Sequence, residues 1–176
     1  MHYEVEAKIR VKDPEKMRKK IKKIARFVKK TTKTDLYFKE KSIKGYPSQR
    51  FRIRKEGKKT IATFKTSRRP ALIYAKKEHE FNIDDEKGFI DFLDEFDFKP
   101  FVKKIKYSET YNYKGTNIEL NKVKSLGWFA EIEVLCERKN QISPAREKVK
   151  QVFKLLDIKK EDIEPKGYTW MLYKKK

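Results

Sequence analysis

The chain has 176 residues, 47 of them Lys or Arg against 26 Asp or Glu, for a formal net charge of +21. A hydrophobic content of 38% with 13% aromatics marks a globular rather than a disordered chain, and the single cysteine, Cys136, excludes a disulfide framework and reads as a buried thiol. No apolar run reaches the ~18 residues of a membrane-spanning helix and no secretory leader pattern opens the chain, so a cytoplasmic protein with one domain over residues 1–176 and no membrane partner is expected.

The first predicted element is a strand. In Tyr3-Glu4-Val5-Glu6-Ala7-Lys8-Ile9-Arg10, the residues Tyr3, Val5, Ala7 and Ile9 share one face, and Glu4, Glu6, Lys8 and Arg10 share the other. Asp13-Pro14-Glu15 opens a helix with Asp as its cap, and Met17, Ile21 and Ile24 fall at helical spacing. A second strand covers Phe27 to Phe38, and Lys44 to Ser48 is a turn. Gln49 to Glu56 and Thr60 to Ser67 form a hairpin about Gly57, with Arg50, Arg52 and Arg54 on one face of its first arm. Arg68-Arg69-Pro70 is a basic loop. A fifth strand, Leu72 to Ile83, carries Lys76, Glu78 and Glu80 together, and Asp84-Asp85 caps a helix whose apolar side is Phe89, Ile90, Leu93 and Phe96.

The second half repeats this order. Phe98 to Tyr113 is a long strand with Lys104, Lys106 and Ser108 alternating, Lys114-Gly115 is a turn, and Thr116 to Val123 bears Glu119 and Asn121. Gly127 to Cys136 carries Glu131 and Glu133 on one face. Ser143-Pro144 is expected to cap a helix running to about Asp157, and a packed tail bears Tyr168, Trp170 and Leu172. About eight strands result, most of them joined by hairpins, in two similar halves.

An ordinary antiparallel sheet turns its charges to water. Here they form carboxylate pairs (Glu4/Glu6, Glu78/Glu80, Glu131/Glu133) and basic ladders (Arg50/Arg52/Arg54, Lys104/Lys106). Like charges about 7 Å apart on one strand face repel unless a counter-charge is near. Three amphipathic helices are available to cover the outside of a sheet. An α+β fold is therefore expected: an eight-stranded antiparallel barrel, or tunnel, with a polar lumen and flanking helices. Carboxylate pairs suit a hard divalent cation such as Mg2+ or Mn2+. Converging Arg and Lys suit phosphate oxygens. Both at once suit a metal-bound polyphosphate, and hence phosphoryl or nucleotidyl transfer.

These residues resemble a known family. Glu4-Val5-Glu6-Ala7-Lys8 resembles the ExExK signature of the CYTH superfamily, the triphosphate tunnel metalloenzymes. Thr34-Asp35-Leu36-Tyr37-Phe38, Phe51-Arg52-Ile53-Arg54, Thr63-Phe64-Lys65, Lys76 to Glu80, Val102 to Lys106 and Ile118 to Glu133 follow in that family's order. The closing Gly167-Tyr168 segment is most like the CyaB-type, class IV adenylyl cyclases. The resemblance implies metal ligands at Glu4, Glu6, Glu131 and Glu133, and triphosphate-binding bases at Lys8, Arg52, Arg54, Lys65, Lys104 and Lys106. It implies catalytic roles for Lys65 and Tyr37, with Glu78, Glu80 and Asn121 as further tunnel positions; Arg10, on the polar face of the first strand, and Arg50, an extra base one step before the Arg-x-Arg, are added to these from the strand alternation. Two positions depart from the family pattern: Lys106 stands where Arg is usual, and Asn121 where Asp is usual, which leaves the number of metals open.

The implied reaction is either that of an adenylyl cyclase, ATP to cyclic AMP and pyrophosphate, or that of a triphosphatase on inorganic, thiamine or nucleoside triphosphate. The net charge adds a non-catalytic alternative, a module that binds RNA or its 5′-triphosphate end, or polyphosphate. A monomer or a homodimer fits either. Abundant Lys and Glu also match the composition of thermophilic proteins.

Overall fold

The structure, a computed structural model, describes residues 2–48, 51–64 and 72–175, and of Lys65 the backbone alone. Arg50 and the basic loop Arg68-Arg69-Pro70 lie outside the described residues. The elements run β1 (His2–Val11), α1 (Pro14–Ile24), β2 (Arg26–Glu40), β3 (Phe51–Glu56), β4 (Lys59–Lys65), β5 (Tyr74–Asn82), α2 (Glu86–Glu95), β6 (Phe98–Tyr113), β7 (Thr116–Val123), β8 (Gly127–Cys136), α3 (Ile142–Leu156) and α4 (Tyr168–Tyr173).

All eight strands pair antiparallel in one closed barrel of order β1-β5-β4-β3-β2-β6-β7-β8, with β8 returning to β1. The order β-α-β-β-β occurs twice, over β1–β4 and β5–β8. Exchanging each strand for its counterpart in the other half reproduces the same neighbours all the way round. The two crossover helices start alike. Asp13 accepts from Lys16 N and Asp85 from Gly88 N, each at 2.9 Å, so each carboxylate pairs an otherwise orphaned first-turn N–H. At Gly88 a Cβ would lie 2.3 Å from Asp85 Oδ2, so a larger residue there would make the capping carboxylate shift. Lys114 (φ 47°) and Gly115 (φ 81°) form the β6–β7 hairpin turn, where both central residues need positive φ.

The apolar core lies outside the barrel wall. Ile21 of α1 and Ala145, Val149, Val152 and Leu156 of α3 pack on Val5, Ala7, Ile9, Leu120, Ala130 and Ile132. Leu93 of α2 packs on Phe38 and Ile53. Each aliphatic side chain so buried contributes about 1.5–3 kcal/mol. The strand alternation leaves the opposite, charged face no place but the lumen. Cys136 is buried and free, as expected. No helix among the described residues is long and apolar enough to cross a membrane.

Some boundaries differ from expectation. The second strand runs Arg26–Glu40, beyond Phe38, and the fifth spans Tyr74–Asn82 rather than Leu72 to Ile83. The third helix begins at Ile142, after a single 3-10 turn at Lys139–Gln141, so Ser143-Pro144 lies within its first turn and does not cap it. Proline is tolerated there because its missing N–H would have had no helical partner.

Candidate functional site

The lumen holds a cavity of about 360 Å³ lined by polar, charged and aromatic side chains from all eight strands and by residues of the α4 segment. Its carboxylate end comes from β1 and β8. Glu6 stands directly opposite Glu133, and Glu4 is two residues away on the same face. One oxygen from each of Glu4, Glu6 and Glu133 lies within 4.8 Å of the others. Burial, and after it the charges of Glu4 and Glu6, push the Glu133 carboxyl up to about 8. Lys76 Nζ approaches Glu6 at 3.1 Å. His2, Glu4 and the buried Glu78 form a second set close enough to share a cation. Burial opposes ionisation of His2, but a hydrogen bond to Glu4 outweighs it and raises its pKa.

The basic part of the lumen is organised by Asp35. This fully buried carboxylate takes two bonds from Arg54 (Nε to Oδ1 at 2.7 Å, Nη2 to Oδ2 at 2.9 Å) and meets Lys104 at 2.8 Å and Arg52 at 3.5 Å. Burial alone would raise its pKa, but Lys104, Arg52 and Arg54 hold it well below the usual carboxylate value. Register explains the convergence, since Asp35 is opposite Arg54 on β3 and opposite Lys104 on β6. Tyr37, opposite Arg52, receives a hydrogen bond from Lys104 Nζ at 3.2 Å. Burial would push the phenol up, but the Lys104 and arginine charges bring it down to about 7. We expect Asp35→Ala to cost about 3–5 kcal/mol, because it leaves buried cations without their shared anion. Urea unfolding measures this loss, and added tripolyphosphate should restore part of it. A loss below about 1 kcal/mol would show that the cations do not depend on Asp35.

A third cluster lies on β2, β6, β7 and β8. Lys106 Nζ is 2.6 Å from Glu131 Oε2 and 2.8 Å from Glu119 Oε2. Lys33 Nζ holds the other Glu119 oxygen at 2.6 Å, and Asn121 Nδ2 donates to Glu131 at 2.8 Å. Despite burial, these ammonium groups keep both carboxyls below their usual pKa. At one end, Lys8 donates to the Lys166 carbonyl. Its Nζ lies 4.5 Å from the centre of the Tyr168 ring, with Lys104 Nζ 5.3 Å from the same ring. Burial lowers the Lys8 pKa.

Of the residues expected at the site, Glu4, Glu6, Lys8, Tyr37, Arg52, Arg54, Lys104, Lys106, Glu131 and Glu133 line one cavity. Glu131 stands apart from the carboxylate trio and is tied to Lys106 instead. Arg10 does not line the cavity. The chain near Ile163 pairs with the end of β1, and Glu164 draws Arg10 out at 2.8 Å. Glu78, Glu80 and Asn121 also fall outside the lining. Glu78 and Asn121 are buried in the wall, and Glu80 is exposed beside Thr63. Lys65 ends β4 opposite Glu78, and its side chain lies outside the described part, as does Arg50. Asp35, Glu119, Lys33 and Tyr74 were not singled out by sequence. Their one available signal was position, since Lys33, Asp35 and Tyr37 share a strand face, as do Glu119 and Asn121.

The arrangement joins a cation-binding carboxylate trio to a field of bases suited to anionic oxygens. The CYTH domain matches residues 2–168 of this chain. A Methanocaldococcus jannaschii protein named "Putative adenylate cyclase MJ0240" is 27% identical over 170 residues, covering 94% of this chain and 95% of that protein. The PH1012 protein of Pyrococcus horikoshii superposes with a TM-score of 0.83 at 28% identity, over 96% of this chain and 99% of that one. A Hippeastrum protein named "Putative adenylyl cyclase HpAC1" and described as having a dominant triphosphatase activity shares the fold at a TM-score of 0.68 and 14% identity, over 99% and 96% of the two chains. With the match spanning nearly its whole length, and the barrel and its charged lumen in place, the chain belongs to the CYTH domain family.

Proposed function

We propose that this protein is a metal-dependent enzyme acting on a triphosphate inside the barrel, with conversion of ATP to cyclic AMP and pyrophosphate as the leading reaction. One observation carries the reading: buried Lys8, Arg52 and Lys104 and half-buried Arg54 share a cavity with a carboxylate trio. Buried charges of one sign are gathered only where a counter-charge is held. Arg52 Nε–H is buried and has no acceptor among the described residues, which suits a group that completes its bonding on a ligand.

Glu4, Glu6 and Glu133 offer three carboxylate oxygens, the donor chemistry of Mg2+ or Mn2+, and would hold that ion. When bound, it supplies neutralisation of phosphate charge. The chain's own residues do the rest. Arg52 presents a planar fork to phosphate oxygens, Arg54, with its Nε and Nη2 held by Asp35, adds its charge, and Lys8 and Lys104 present point charges. Tyr37, near 7 and beside Lys104, can take a proton from the attacking hydroxyl at neutral pH. In a cyclase that hydroxyl is the ribose 3′-OH and the α-phosphorus is attacked. In a triphosphatase it is water and the terminal phosphorus. The Hippeastrum protein, named for one reaction and described by the other, keeps triphosphate hydrolysis as the alternative on this fold. Binding of an RNA 5′-triphosphate end would use the same bases together with the charge of +21.

Incubation with ATP, and separately with inorganic triphosphate, in Mg2+ or Mn2+ distinguishes the readings. Cyclic AMP with pyrophosphate supports the first, and orthophosphate the second. Neither product from either substrate would sink the enzymatic reading.

A further inference from the structure

Lys106 reaches the lumen from β6 and is only 4% exposed. It does not point free toward the cavity as a phosphate base would. Its Nζ sits between two carboxylates, 2.6 Å from Glu131 and 2.8 Å from Glu119. Those two carboxylates face each other across β7 and β8. Two carboxylates directly opposite on a sheet repel, so this pair needs a cation as much as the Glu4, Glu6 and Glu133 trio does. Here the cations are part of the chain. Lys33, opposite Lys106 on β2, takes the far oxygen of Glu119 at 2.6 Å. Two anions are thus met by two ammonium groups. Asn121 Nδ2 then donates to Glu131 at 2.8 Å and lies 3.5 Å from Glu119, while its Oδ1 is buried without a partner among the described residues. An Asp at 121 would place a third negative charge against the pair, more than Lys33 and Lys106 offset. The amide adds none and donates instead, at the cost of an orphaned acceptor. By contrast, the trio retains three convergent oxygens.

We propose that Lys106 is a resident cation standing between Glu119 and Glu131 in place of a second divalent ion, so that the barrel binds a single metal, at Glu4, Glu6 and Glu133; the His2, Glu4 and Glu78 set draws on the same Glu4 and is not filled beside it. The assignment rests on the metal reading of that trio. A tethered ammonium is not removed by chelators, and it uses the carboxylate lone pairs that a second ion would require.

Equilibrium dialysis against Mn2+, without any triphosphate, tests the assignment. The wild type should bind one ion per chain, and Glu133→Gln should lose it. Lys106→Met and Lys106→Gln should each bind a second ion, and Mn2+ should raise their Tm more than it raises that of the wild type. A variant that folds only when Mn2+ is added would support the assignment equally, since the ion would then be replacing the lost ammonium. Two ions in the wild type, or a single ion in both Lys106 variants folded by circular dichroism, would overturn it. No Mn2+ bound by the wild type would instead bring down the metal reading on which it rests.

Discussion

Arg52→Ala should lower kcat/KM for the triphosphate substrate by about 100- to 1,000-fold, close to 3 kcal/mol of transition-state stabilisation, the scale for losing one preorganised charged donor. Binding of inorganic triphosphate, followed by calorimetry, should weaken with it. The barrel should survive the change. Asp35 would keep its two bonds to Arg54 and its contact with Lys104, so no buried anion is stranded. The melting temperature should therefore move far less than in Asp35→Ala. Arg52→Lys should fall in between, keeping the charge and losing the fork. Unchanged triphosphate binding in Arg52→Ala would mean that the lumen bases serve only the protein's own carboxylates.

The barrel was readable in the sequence because a strand's period is 2 and its two faces were written in different alphabets. Val5, Ala7 and Ile9 named the helix-covered side, and Glu4, Glu6 and Lys8 the lumen. The same rule misplaced Arg10, because alternation says which face a residue lies on and not where the barrel ends. The chain near Ile163 crosses that end of β1 and supplies Glu164, a contact 154 residues away that no local pattern announces. Asp35 shows the opposite limit. It was visible as one residue of a motif, yet its role depends on Arg54 and Lys104 arriving from two other strands, and that follows from register rather than from spacing. Glu131 was grouped with Glu133 because they are two apart on one strand. The structure divides them, since Glu133 faces Glu6 while Glu131 faces Lys8 on one side and Glu119 on the other.

That division sets the pH dependence. Glu133, raised to about 8, is protonated at neutral pH in the metal-free protein, whereas Glu131 is held ionised by Lys106. A metal ligand must be deprotonated, so Mg2+ has to displace the Glu133 proton. Its affinity should rise about tenfold per pH unit up to about 8 and level off above it. Stability without metal should move the other way. A carboxyl whose folded pKa exceeds its usual 4.5 contributes stability that is fully present below 4.5 and is lost as pH rises through about 8. Saturating Mg2+ cancels that loss, so the Tm difference between metal-bound and metal-free protein should widen steadily as pH rises from about 6 to 8. Tyr37 adds a separate limb. With its phenol near 7, kcat measured at saturating metal should climb through pH 7 if Tyr37 takes the proton. Tyr37→Phe should remove that limb and leave the metal titration unchanged. A Mg2+ affinity that is flat across this range would show that Glu133 is already ionised, and that the trio does not carry the proton which the metal must replace.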